Sequence, residues 1–175
     1  ALTKNYFDKN HKYRHKEWTL PRKSLIVEQF TSYGRGAWKL FSALFGASDT
    51  KYGGNDADLF FTETADNGYT FGYVDGGGWY GGIVGGPTYN SWIGAGNDPK
   101  VVFAVEFGSY FYDFDWSHSF IKAPLGAPTY TLTSFWGNYN SPWDVYTMGM
   151  GYPIGHGHKR TADYYKYLCL NLMGD

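Results

Sequence analysis

LFFTETADNGYTFGYV, residues 59–74, holds two runs rich in aromatic and aliphatic residues on either side of Asp66-Asn67-Gly68. An Asn-Gly pair between apolar runs is a strong hairpin signal, because both residues tolerate the positive φ that a tight turn requires. The stretch therefore predicts two antiparallel strands, over 59–64 and 69–74. Working outward, short apolar segments predict further strands at 79–84, 101–107, 110–114, 129–136 and 145–148. Pro87, Pro99, Pro124, Pro128, Pro142 and Pro153 fall between or beside them, where the loss of a backbone N–H is tolerated.

Helices are predicted at both ends of this β region. Ser24 can cap a short helix running to about Tyr33, with Glu28 near its first turn and Gly34 and Gly36 interrupting it. The clearest helix spans 37–47: Trp38, Leu40, Phe41, Leu44 and Phe45 recur at three- and four-residue spacing, and Gly46 marks the exit. A last helix opens at Thr161, carries Tyr164, Tyr165, Leu168 and Leu172, and stops at Gly174. The expected fold class is α+β: a small antiparallel β region with Gly-rich turns, flanked by an amphipathic N-terminal helix and a C-terminal helix. Residues 1–23 are polar, basic and aperiodic, which predicts an extended basic N-terminal arm ahead of a single α+β domain over 24–175.

The 175 residues suit one domain able to bury its own core. Net charge is −1 but unevenly spread: residues 1–39 carry nine basic against three acidic side chains, and residues 40–121 two basic against ten acidic. A basic arm of this kind suits an acidic protein surface or anionic lipid headgroups. The single cysteine, Cys169, excludes an internal disulfide and the multi-cysteine metal frameworks, and its apolar neighbours mark it as a small buried hydrophobe. With Ala1 first, the expectation is that an initiator Met or a longer leader has been removed or omitted.

Aromatic residues make up 21% of the chain, and 11 of its 24 glycines fall within 68–96. Residues 76–96 carry no charge, and glycine pairs repeat there every four residues, a spacing that lets membrane helices approach closely. Pro87, Thr88, Asn90 and Ser91 interrupt the segment and it has few aliphatic residues, so no transmembrane helix is expected. The glycines also lack the Lys-Ser/Thr ending of a phosphate loop. What remains is turns and bent strands that expose Trp79, Tyr80, Tyr89 and Trp92; with Tyr6, Phe7, Tyr13 and Trp18 of the arm, these are the expected interface residues.

Candidates for chemistry are sparse. Glycoside hydrolysis needs two carboxylates about 5–10 Å apart, and Glu106, the Asp113/Asp115 pair and the Asp56/Asp58 pair are available. Paired acids at period two are as well explained by the wet side of a strand or a loose cation site. His156 and His158 also alternate, with His118 as a third imidazole, but Lys159 and Arg160 adjoin them and metal sites need three or four converging ligands. Neither a nucleophile motif nor a nucleic-acid-binding signature is present. No catalytic, cofactor or metal residue is therefore assigned. The expected role is a non-enzymatic accessory subunit of a large multiprotein assembly, contacting other subunits and, through its arm, anionic lipid. A mitochondrial inner-membrane respiratory or ATP synthase complex is the favoured setting, with the protein peripheral to the membrane. The alternatives are a viral capsid or tail protein, placed in the virion, and a glycan-binding or glycan-cleaving β domain that stacks sugars on Trp79, Tyr80, Trp92, Trp136 and Trp143.

Overall fold

The structure is a computed structural model that describes residues 2–30, 34–94, 98–111, 113–128 and 130–136, the side chains of 34–36, 40, 135 and 136 excepted; His156, Lys159, Arg160, Asp163, Lys166 and Tyr167 are also described and are helical. In chain order the elements are α1 (Leu2–Arg14), β1 (Ser24–Glu28), α2 (Gly34–Phe45), a 3₁₀ turn (Ala47–Asp49), β2 (Thr50–Gly54), α3 (Asp58–Asp66), β3 (Tyr69–Asp75), β4 (Gly78–Trp79), β5 (Gly82–Ile83), α4 (Tyr89–Ile93), β6 (Val101–Phe107), α5 (Ala123–Gly126) and β7 (Thr133–Trp136).

SLIVE, the sequence of β1, is buried at all five positions. A strand covered on both faces is apolar without alternation, as in parallel sheets sandwiched between helices. Leu25 and Val27 enter one core cluster with Phe60, Val74 and Trp92. Ile26 enters the other with Phe41, Phe71 and Tyr73. β1 pairs in parallel with β2 on one side and β3 on the other, Ile26 lying opposite both Tyr52 and Tyr73. β6 and β7 extend the sheet in the same direction, giving the order β2-β1-β3-β6-β7. Parallel neighbours need long crossovers. The crossover from β1 to β2 passes over one face through α2, whose Ala37 and Phe41 pack there; α3 and α4 cover the opposite face with Phe60 and Trp92.

The expected α+β fold with an antiparallel β region is thus corrected to a helix-flanked parallel α/β sheet; the antiparallel pairing of named strands is limited to the small β4–β5 pair. The difference begins at residues 59–74. Ala57, Phe60 and Thr64 are all buried and are spaced three and four apart, a helical period that outweighs the hairpin signal. Asn67 is the C-cap of α3, its N–H donating to the Glu63 carbonyl at 2.8 Å. Gly72 is what lets α3 lie flat on the sheet: a Cβ there would sit 2.6 Å from the Phe60 ring.

Other expectations divide. Ser24 begins a strand, its hydroxyl 3.1 Å from that of Thr50, and caps no helix. Residues 110–114 lie in turns where described, and the expected strand over 79–84 is the β4–β5 hairpin. The strand at 101–107 and the helix from Ala37 are found, although Trp38 of its apolar stripe is exposed. Residues 145–148, Thr161, Tyr164, Tyr165, Leu168, Leu172 and Gly174 lie outside the described residues.

The arm also departs from the extended form expected, since residues 2–14 are helical. Its docking uses a buried cation. Lys9 Nζ donates to the carbonyls of Pro124 and Ala127 at 2.6 and 2.9 Å, and Asn5 donates to Gly126 at 3.1 Å. Burial pulls the Lys9 amine down to about 8. Among the described residues, no helix is long and apolar enough to cross a membrane.

Candidate functional site

In an open parallel sheet, ligand crevices form at the carboxyl ends of the strands where successive crossovers part to opposite faces. Here that point lies between β1 and β3. β1 ends at Glu28 and β3 at Asp75, which are register partners. Asp75 is fully buried. Its Oδ1 accepts from the N–H groups of Gln29 and Phe30 at 2.6 and 3.0 Å, and its Oδ2 from the Tyr73 hydroxyl at 2.9 Å. Burial raises the Asp75 carboxyl above the ordinary range, and these three donors partly offset it. Burial and the Asp75 charge push the Tyr73 phenol upward. Tyr52 on β2 is raised as well, by desolvation and then by the Glu28 charge. Asp75 is therefore a positioning residue that ties the segment after β1 to the end of β3.

Beyond Asp75 the chain enters the glycine run and forms the β4–β5 hairpin, fastened to the sheet edge by Gly76 N–H to Phe107 O at 3.1 Å. The Trp79 ring folds over Gly81, where an added Cβ would meet it at 2.6 Å. Trp79 meets Tyr80 edge-on at 4.7 Å, and Tyr80 stacks on Trp116 with centroids 4.1 Å apart and planes within 6°. The segment carrying Trp116 is tied to the hairpin by Phe120 N–H to Tyr80 O at 2.9 Å. Lys122 Nζ donates to the carbonyls of Phe114 and Trp116. Tyr89 and His118 add a second ring contact at 4.6 Å. Trp116, Tyr110 and Phe114 are 49%, 56% and 58% exposed. Tyr110 also has φ 62°, a left-handed conformation that costs a bulky residue strain and that tends to occur at binding sites. The result is an exposed aromatic shelf beside the carboxyl edge of the sheet.

The expected interface residues separate into three places. Trp79, Tyr80 and Tyr89 join the shelf. Tyr13 and Trp18 pack inward, Tyr13 against Phe103 at 6.4 Å and Trp18 against Tyr130 at 4.9 Å, while Tyr6 meets an exposed Phe7 edge-on at 5.8 Å. Trp92 is wholly buried among Phe60, Phe61 and Phe120. Glu106 is also sealed: the Ser134 hydroxyl donates to Oε2 at 2.7 Å, the Trp92 indole lies beside the carboxyl, and Oε1 has no partner among the described residues. Burial pushes its carboxyl up to about 8.

Asp56 accepts from the Asp58 N–H at 3.0 Å and opens α3, while Asp113 and Asp115 lie in the segment of turns after β6. His118 contacts Ser117 at 3.2 Å, His156 is exposed on its helix, and His158, Trp143 and the side chain of Trp136 lie outside the described residues. Among the described residues no three His, Cys, Asp or Glu side chains converge as a metal site. Trp116, Tyr73 and Asp75 are functional candidates absent from the sequence reading. An acid ending an apolar strand just before a glycine run is the signal that marks Asp75. Comparison with protein-family models, curated proteins and solved structures finds no match for the chain.

Proposed function

We propose that the protein is a carbohydrate-binding α/β domain that receives a sugar ring on the aromatic shelf at the carboxyl edge of its sheet. The observation that carries this reading is the Tyr80–Trp116 stack. Pairing the two rings fixes them in orientation, while Trp116 remains half exposed on loops that the sheet holds in place. Such a ring offers a flat apolar surface to the C–H face of a pyranose, and the Tyr hydroxyl and Trp N–H provide polar contacts at its rim. Asp75 is committed to three donors and Glu106 is sealed in the core, so neither carboxyl is placed for acid–base work on a ligand above the shelf.

The test is a glycan array probed with the whole chain, followed by calorimetric titration of the best ligand. Trp116→Ala is expected to weaken binding at least tenfold, about 1.4 kcal/mol, with the circular dichroism spectrum unchanged. Absence of any retained glycan, or a Trp116→Ala protein that binds like the parent, overturns the reading.

The second reading, a subunit of a larger assembly, is favoured by α1, which presents Leu2 and Phe7 at 62% exposure each beside Lys4 and Lys12. Partners that co-purify and mask α1 from protease support it.

A further inference from the structure

We propose that His11 and His15 form a chelating site for a divalent transition metal at the end of α1. The two imidazoles are four residues apart, which places them on one helical face. His15 remains within the helical hydrogen-bond pattern, its N–H donating to the His11 carbonyl at 3.0 Å. Their ring centroids are 4.2 Å apart with planes tilted by 37°, and both residues are exposed. They border an open depression of about 540 Å³, which Asp8 and Asn10 also line.

The backbone beneath them is locked. Glu17 N–H reaches back to Lys12 O at 2.9 Å and Lys16 N–H to Tyr13 O at 3.0 Å, the double closure of a Schellman cap. Lys16 takes the left-handed position, φ 57°, where glycine is usual. His15 is thus held at the C-cap of α1, one residue past its last helical position, and its backbone does not fray from His11, so the cost of meeting an ion is confined to the two side chains.

Imidazole nitrogens suit Cu(II), Ni(II) and Zn(II), and for one donor set affinity peaks at Cu(II). Two protein ligands are fewer than the three or four of a resident structural or catalytic metal site, so the pair is a surface chelate whose remaining positions water fills. Asp8, one turn earlier, is paired with Lys4 and is not counted as a ligand. Lys12, Arg14 and Lys16 oppose a cation electrostatically and weaken the binding of every divalent ion alike, so copper(II), the strongest binder of the series, is the probe of choice.

The experiment titrates the whole chain with copper(II) chloride in a non-coordinating buffer, followed by calorimetry and electron paramagnetic resonance. One equivalent is expected to bind with hyperfine coupling to two imidazole nitrogens. His11→Gln and His15→Gln should each weaken that binding at least tenfold, with helicity retained because Gln is a good helix former. His156→Gln/His158→Gln, which removes the other closely spaced pair, should leave it unchanged. If His11→Gln/His15→Gln binds copper like the parent, or if the signal disappears in His156→Gln/His158→Gln instead, the proposal is wrong.

Discussion

Replacing Glu106 with glutamine is expected to remove a steep loss of stability between about pH 5 and pH 8. Glu106 is fully buried, and burial raises its carboxyl to about 8 from an ordinary value near 4.5. The folded state therefore holds a proton that the unfolded chain releases. A group raised in this way contributes its full stability below the unfolded value and loses it as pH climbs through the folded one. Over that window the change is on the order of a few kcal/mol, large beside the total stability of a domain. The glutamine amide is neutral throughout, and its carbonyl can still accept from Ser134. Thermal unfolding at pH 5, 7 and 8.5 is expected to show a falling midpoint for the parent and a markedly flatter profile for Glu106→Gln. Equal slopes would place Glu106 in contact with water.

The second large effect is expected at Gly72→Val. In the hairpin reading of residues 59–74, valine within a strand favours folding through its β propensity. In the parallel fold the added Cβ stands 2.6 Å from the Phe60 ring and 3.0 Å from Val101, and neither side chain has room to retreat, because both are fully buried. Overpacking of this kind costs about 1–3 kcal/mol. Chemical denaturation of Gly72→Val should show that loss, with Gly72→Ala between it and the parent. A more stable Gly72→Val protein would contradict the packing of α3 on β3.

The two variants bracket what was legible in the sequence. The strand at residues 101–107 and the helix from Ala37 could be read because each has a local period that its tertiary setting preserves. β1 could not be read by alternation, since burial on both faces erases period two, and Ser24 ahead of an apolar run also resembles a helix cap. The Asn-Gly pair is compatible with either a turn or a helix exit; the spacing of Ala57, Phe60 and Thr64 favours the exit, and the packing of Phe60 and Val101 around Gly72 fixes it. The helix of the arm depends on α5, more than a hundred residues away, through Lys9. At the candidate site, Tyr80 was visible as part of the Gly–aromatic run, but its partner Trp116 lies 36 positions further along. Strand direction is what brings the two loops together, and no local pattern encodes it. Trp92 belongs to the same run and nothing local sets it apart from the exposed rings, yet its α4 placement sends it into the core.

The shelf lies at a carboxyl edge only if the strands beside it run in one direction, so the pairing of β1 with β3 carries the account. Nuclear Overhauser contacts between these strands in the isotopically labelled protein test it most directly. The expected result is the parallel register, Ile26 beside Tyr73 and Val27 beside Val74, with the contacts advancing in step along both strands. Close contacts between facing α-protons, running in opposite senses along the two strands, would establish an antiparallel pair and contradict it.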